Sequence, residues 1–145
     1  MIRTITHLLM FCTMSFAADL ACPLPECSKV LNPFGQTALP SGHVRVHTGV
    51  DFEVPAGTAV RAAADGRVVK AGTVDGYGTR VMIEHENGLK TLYAHLSKLH
   101  VQKGQTVKQG ELVGHSGNSG KSTGPHLHFG VYRNGRMVDP QPYLR

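Results

Sequence analysis

TRVMIEHENGLKTLYAH, residues 79–95, decides the fold class. Two runs rich in β-branched and apolar residues, 79–85 and 90–95, flank Glu86-Asn87-Gly88. Asn and Gly both tolerate positive φ, so Asn-Gly between two such runs signals a tight β-hairpin. The same pattern extends in both directions. Strands are expected at 44–46, 58–61, 66–71, 106–107, 112–113 and 127–132. Ala64-Asp65-Gly66, Asp75-Gly76 and Arg133-Asn134-Gly135 supply further turns. The composition agrees, with 17 Gly and 8 Pro in 145 residues. Long helical periodicity is absent. Closely spaced strands without helices between them predict an all-β, antiparallel sandwich or barrel-like single domain over 41–145.

The N-terminus differs in character. Arg3 precedes a mostly apolar run from Leu8 to Ala17, and Ser15-Phe16-Ala17 ends it with small residues at the cleavage positions. This predicts a secretory signal at 1–17, export to a periplasm or the medium, and no stable membrane insertion after its removal. The run is about half of the roughly 20 residues a membrane-spanning helix needs. Residues 18–40 hold four prolines and read as an irregular leader. Cys22 and Cys27 both lie in it. An even cysteine count in an exported chain makes a Cys22–Cys27 disulfide reasonable.

The net charge of +5 falls by one with the loss of Arg3. The basic residues are scattered, with no run and no basic helix, which argues against nucleic-acid binding. A diffuse positive surface suits an anionic polymer.

Nine histidines are many for this length, and two groups stand out. In His126-Leu127-His128, strand geometry puts both imidazoles on one face, about 6.6 Å apart. They can share a metal, or one can bind it while the other reaches a water on it. In His47-Thr48-Gly49-Val50-Asp51, an ideal strand would separate His47 from Asp51 by about 13 Å. Gly49 lets the chain bend between them. Two His and one Asp suit zinc, with a fourth position open to water.

Set together, HTGVDF (47–52), PAGTAVRAAADGRVV (55–69), YGTRVMIEH (77–85), TLYAHL (91–96), KGQTVKQGELVGHSGNSGKSTGPHLHFGV (103–131) and VDPQPYL (138–144) resemble the lysostaphin-type (LytM-like) zinc metalloendopeptidases. The resemblance implies one zinc per chain, held by His47, Asp51 and His128. It implies that His95 and His126 are catalytic, beside the water that the metal activates. It implies peptidoglycan as substrate, through hydrolysis of its peptide cross-links. The Gly-rich loop 116–124 precedes HLH and is expected to border the metal cleft. Asn118, Ser119, Gly120 and the adjacent His115 are its candidate substrate contacts. Tyr93 shares a strand face with His95 by its spacing and joins them as a candidate, with packing the simpler role. Some members of the family keep a residue of an N-terminal segment on the zinc until processing; Asn32 is the candidate for that here, with an ordinary turn asparagine the simpler reading. His43, His85 and His100 read as surface residues. The chain is expected to act as a monomer.

Other classes fit less well. Relatives that have lost zinc ligands act as regulators, but all five matching positions are intact here. Gly120-Lys121-Ser122 lacks the earlier glycine and the following helix of a phosphate loop. Residues 103–112 resemble a biotinyl or lipoyl carrier segment without the modifiable lysine at a hairpin tip. Neither rival accounts for the histidines.

Overall fold

The computed structural model describes residues 20–145, so the signal reading for 1–17 lies outside the described residues. Among the described residues every pairing between strands is antiparallel, and a single parallel bridge joins Leu20 to Leu144. Its strands are β1 (Val30–Asn32), β2 (Gly35–Ala38), β3 (Val44–His47), β4 (Val50–Phe52), β5 (Ala59–Arg61), β6 (Gly66–Val74), β7 (Gly78–Glu84), β8 (Leu89–Leu99), β9 (Thr106–Val107), β10 (Leu112–Ser116), β11 (Leu127–Arg133) and β12 (Arg136–Val138). A short 3-10 turn follows at Gln141–Tyr143. The expected hairpin is present. Asn87 and Gly88 both take positive φ, as do Asn134 and Gly135. That is the primed-turn conformation, whose twist matches that of the strands it joins.

The main sheet runs β1-β4-β11-β8-β7-β6-β9, and β12 pairs with β11. Strand β8 is long enough to serve two neighbourhoods. Its first half pairs with β7 and β11, and its second half turns to β10, which also holds β5. The sheet therefore curls over its own face without closing, which makes a sandwich-like body. β2 and β3 form a separate hairpin. The segment 18–40 was expected to be irregular, yet it contributes β1 and β2. Edge pairing of β1 with β4 orders a stretch that its prolines leave unmarked.

The core lies inside the curl. Val50, Phe52, Val81, Ile83, Tyr93, Leu96, Leu127, Phe129 and Val131 are at most 1% exposed. Full burial of one such side chain contributes about 1.5–3 kcal/mol. Alternation along β4 and β11 sends Val50, Phe52, Leu127 and Phe129 inward, which leaves Asp51 and His128 on the other face.

Tyr93 and His85 are structural. The Asp65 carbonyl can only accept, so His85 Nδ1 donates to it at 2.7 Å and Nε2 is left as an acceptor. Thr91 Oγ1 donates to that Nε2 at 2.7 Å, and the Tyr93 hydroxyl donates to Thr91 at 2.8 Å. The Ala63 amide completes the chain by donating to the Tyr93 oxygen at 2.9 Å. Burial raises the phenol pKa to about 12. His85 is thus half-buried in a network rather than free at the surface. Tyr93→Phe strands the Ala63 amide inside the core and should cost about 1–3 kcal/mol of stability. Denaturant unfolding checks this, and an unchanged midpoint would refute it.

Candidate metal centre

Cross-strand register assembles the site. On β11, His128 lies opposite Asp51 of β4 on one side and Ala94 of β8 on the other. The chain bends at Thr48 and Gly49, between β3 and β4. The bend returns His47 to Asp51, with Nε2 3.2 Å from Oδ2. His128 Nδ1 lies 2.9 Å from Asp51 Oδ1, and His126 Nε2 lies 3.6 Å from the same oxygen. Gly49 permits this by close approach as well as by bending. A Cβ there would stand 2.5 Å from the Phe129 carbonyl and 2.8 Å from the His128 ring.

His95 arrives by a different device. Tyr93 pairs with Val81 and Leu96 with Thr79, so β8 carries one extra residue across this step. His95 sits in that bulge with φ 60°. The bulge breaks the alternation, so the shared face expected for Tyr93 and His95 does not occur. Tyr93 points into the core, while His95 turns toward His126, with ring centroids 4.8 Å apart. Bulges commonly re-aim a side chain in this way.

Hydrogen bonds orient the rings. His95 Nδ1 donates to the Ser119 carbonyl at 2.7 Å, and His126 Nδ1 donates to the Gly124 carbonyl at 2.8 Å. His47 Nδ1 donates to the Pro33 carbonyl at 3.0 Å. A carbonyl has no proton to give, so neutral His95 and His126 keep their Nε2 lone pairs for the cleft, whereas His47 Nε2 faces the Asp51 carboxylate. Burial opposes ionisation of Asp51, but hydrogen bonds from His128 and His47 outweigh it and hold the carboxyl far below the usual carboxylate range. The same bond from Asp51 raises the His47 pKa.

His47, Asp51 and His128 form the one group among the described residues that could hold a metal ion, with donor atoms all within 4.8 Å of one another. The fit is good on two counts. Two imidazoles and a carboxylate are a zinc donor set. His128 cannot satisfy both ring nitrogens with protein groups, since Nε2 is buried without a partner. Asp51, His95, His126 and His128 are each at most 7% exposed, at the floor of a cleft of about 300 Å³.

The cleft walls differ from expectation. They include Arg45, Val46, Asp75, Tyr77, Lys121, Ser122 and Thr123. None of the five candidate substrate contacts lines the cleft. Tyr93 is fully buried. His115 lies on β10 with Nδ1 2.8 Å from His100 Nε2. Ser119 turns inward, accepting from the Thr79 amide and donating to the Leu96 carbonyl. Gly120 is pressed against Gly78, where a Cβ would meet backbone at 2.4 Å. Asn118 is exposed beside them, so the loop reaches the cleft only from Lys121 onward. The sequence reading missed Tyr77, whose ring lies 5.6 Å from that of His128. An aromatic between the glycines of Asp75-Gly76-Tyr77-Gly78 was the available signal.

This fold and this site are those of a metallopeptidase domain. The profile of peptidase family M23 matches residues 45–140, and the chain belongs to that family. It is 47% identical over 114 residues to the DD-carboxypeptidase/endopeptidase Mpg of Neisseria meningitidis, covering 78% of this chain and 26% of Mpg. It is 42% identical over 105 residues to the glycyl-glycine endopeptidase ALE-1 of Staphylococcus capitis, covering 68% and 29%. A zinc containing peptidase from Vibrio cholerae superposes with a TM-score of 0.73 at 38% identity, covering 77% of this chain and 35% of that one. The chain spans about a quarter of the length of the curated relatives it matches.

Proposed function

We propose that the protein is an exported, monomeric zinc endopeptidase that hydrolyses peptide cross-links of bacterial peptidoglycan. One observation carries the reading. A three-donor metal set and the Nε2 atoms of His95 and His126 face a single open cleft. His47, Asp51 and His128 would hold the ion. Bound zinc supplies Lewis acidity toward the scissile carbonyl and lowers the pKa of a water toward 7. His95 and His126 then share two tasks, taking the proton from the attacking water and returning it to the leaving amine. The carbonyls of Ser119 and Gly124 keep both rings aimed for this.

The bond we assign is the stem-peptide cross-link. Mpg, at 47% identity, is named for DD-carboxypeptidase and endopeptidase activity. Arg45 and Lys121 line the cleft, against the acids Asp75 and Asp51. A stem cross-link carries a free carboxylate near the scissile amide for Arg45 or Lys121 to pair with, whereas a glycine bridge carries none. Export rests on the segment 1–17. Among the described residues no helix is long and apolar enough to cross a membrane.

The test is digestion of purified peptidoglycan of both cross-link types by the full chain, with products identified by mass. New termini at the stem cross-link are expected, lost on chelation and restored by zinc. Zinc binding without cleavage of either wall would favour a binding module instead.

Acid pH offers a second check. Burial pushes the His95 imidazole below its ordinary 6.5, because a cation partly withdrawn from water is disfavoured. Neutral His95 therefore persists as pH falls past 6.5 and is lost only at the lowered value. The acid limb that it sets in the pH profile of kcat/KM should lie below 6.5. A His95-dependent limb above 6.5 would contradict this lowering by burial.

A further inference from the structure

The segment from Leu20 to Pro33 crosses the domain as a strap and ends at the metal centre. Leu20 is fully buried and bridges to Leu144, and Leu24 is 6% exposed. Backbone bonds fix the path: Ala21 N to Ala63 O at 2.8 Å, Arg61 N to Pro23 O at 2.8 Å, and Glu53 N to Lys29 O at 2.9 Å. A Cys22–Cys27 disulfide closes its turn. The strap then becomes β1 and pairs with β4. There the register slips. Val30 faces Phe52, but Asn32 faces Asp51, so two steps along β1 meet one along β4.

The slip brings Asn32 level with a metal-site residue. Its Nδ2 donates to Asp51 Oδ2 at 3.1 Å. Only the NH2 end of a carboxamide can donate to a carboxylate, so the amide's orientation follows. The next residue, Pro33, accepts from His47 Nδ1. Adjacent strap residues thus hold two of the three donors.

We propose that Asn32 is a positioning residue for the metal centre, its amide fixing the Asp51 carboxylate in the orientation that takes the ion. This rests on the reading of His47, Asp51 and His128 as the zinc site. A free Asp51 carboxylate would rotate about its side-chain bonds, and binding would have to stop that rotation. Asn32 stops it in advance and occupies one oxygen's lone pair, leaving others for the metal. The opposite role, in which the amide oxygen caps the metal and shuts out water, predicts faster hydrolysis once the side chain is removed.

The test is zinc affinity of the full chain and its Asn32→Ala variant, by competition with a chromophoric chelator. Thermal unfolding of both metal-free proteins runs in parallel. Loss of such an outer partner typically weakens metal binding 10–100-fold. The expected result is roughly tenfold weaker zinc binding with an unchanged metal-free Tm. Equal affinity overturns the proposal. So does a lowered metal-free Tm that accounts for the loss, since that marks a merely structural contact. Faster hydrolysis by the variant at saturating zinc, whatever the change in affinity, also overturns it and makes Asn32 a cap on the site. Wild-type protein that binds no zinc would instead sink the underlying metal reading, a result distinct from equal affinity.

Discussion

His128→Ala is expected to abolish zinc retention and with it all measurable hydrolysis. The ring supplies one of three donors, and its strand neighbour Asp51 supplies another. Removing it leaves His47 and Asp51 alone, two donors that cannot fix a tetrahedral ion. Nothing nearby is a simple replacement. His126 Nε2 lies 3.6 Å from Asp51 but does not belong to the group of donor atoms that converge on one point. The fold should survive, because the pairing of β11 with β4 and β8 is made by backbone. The variant should therefore show β-sheet circular dichroism, no bound zinc after dialysis and no released peptide termini. Full zinc content in the variant would remove His128 from the metal set.

His95→Ala and His126→Ala should separate chemistry from metal binding. Neither belongs to the three-donor group. Each variant should keep its zinc and lose about 10²–10⁴-fold in kcat, the range for a lost proton-transfer group. The double variant should be little worse than the poorer single one, because residues that act as a unit are not additive. Zinc content and kcat must be measured on the same preparations. If either variant loses the metal, that histidine is a ligand. If either keeps normal kcat, it has no part in the chemistry.

The sequence carried much of this in short-range signals. Asn87-Gly88 announced its turn because few residue pairs take two positive φ values cheaply. His126-Leu127-His128 announced a shared face because strand alternation is strict where the strand is regular. Gly49 announced the bend that returns His47 to Asp51. Irregular backbone hid the rest. The bulge at His95 defeats alternation, and its residue is neither Gly nor Asn, so no local signal marks it. Asn32 meets Asp51 only through a register slip between segments 19 residues apart. The loop 116–124 announced flexibility but not direction. The packing of Gly120 on Gly78, which turns Ser119 inward, depends on a second loop distant in sequence.

The left-handed backbone at His95 bears on how this protein can be improved. A non-glycine residue in that conformation costs roughly 1–2 kcal/mol relative to glycine. A library sorted for heat resistance alone should therefore drift toward glycine or asparagine at position 95, and the survivors would be hardier and inert. Breeding a tougher variant of this domain requires screening for turnover in every round, since at this residue durability and work are opposed.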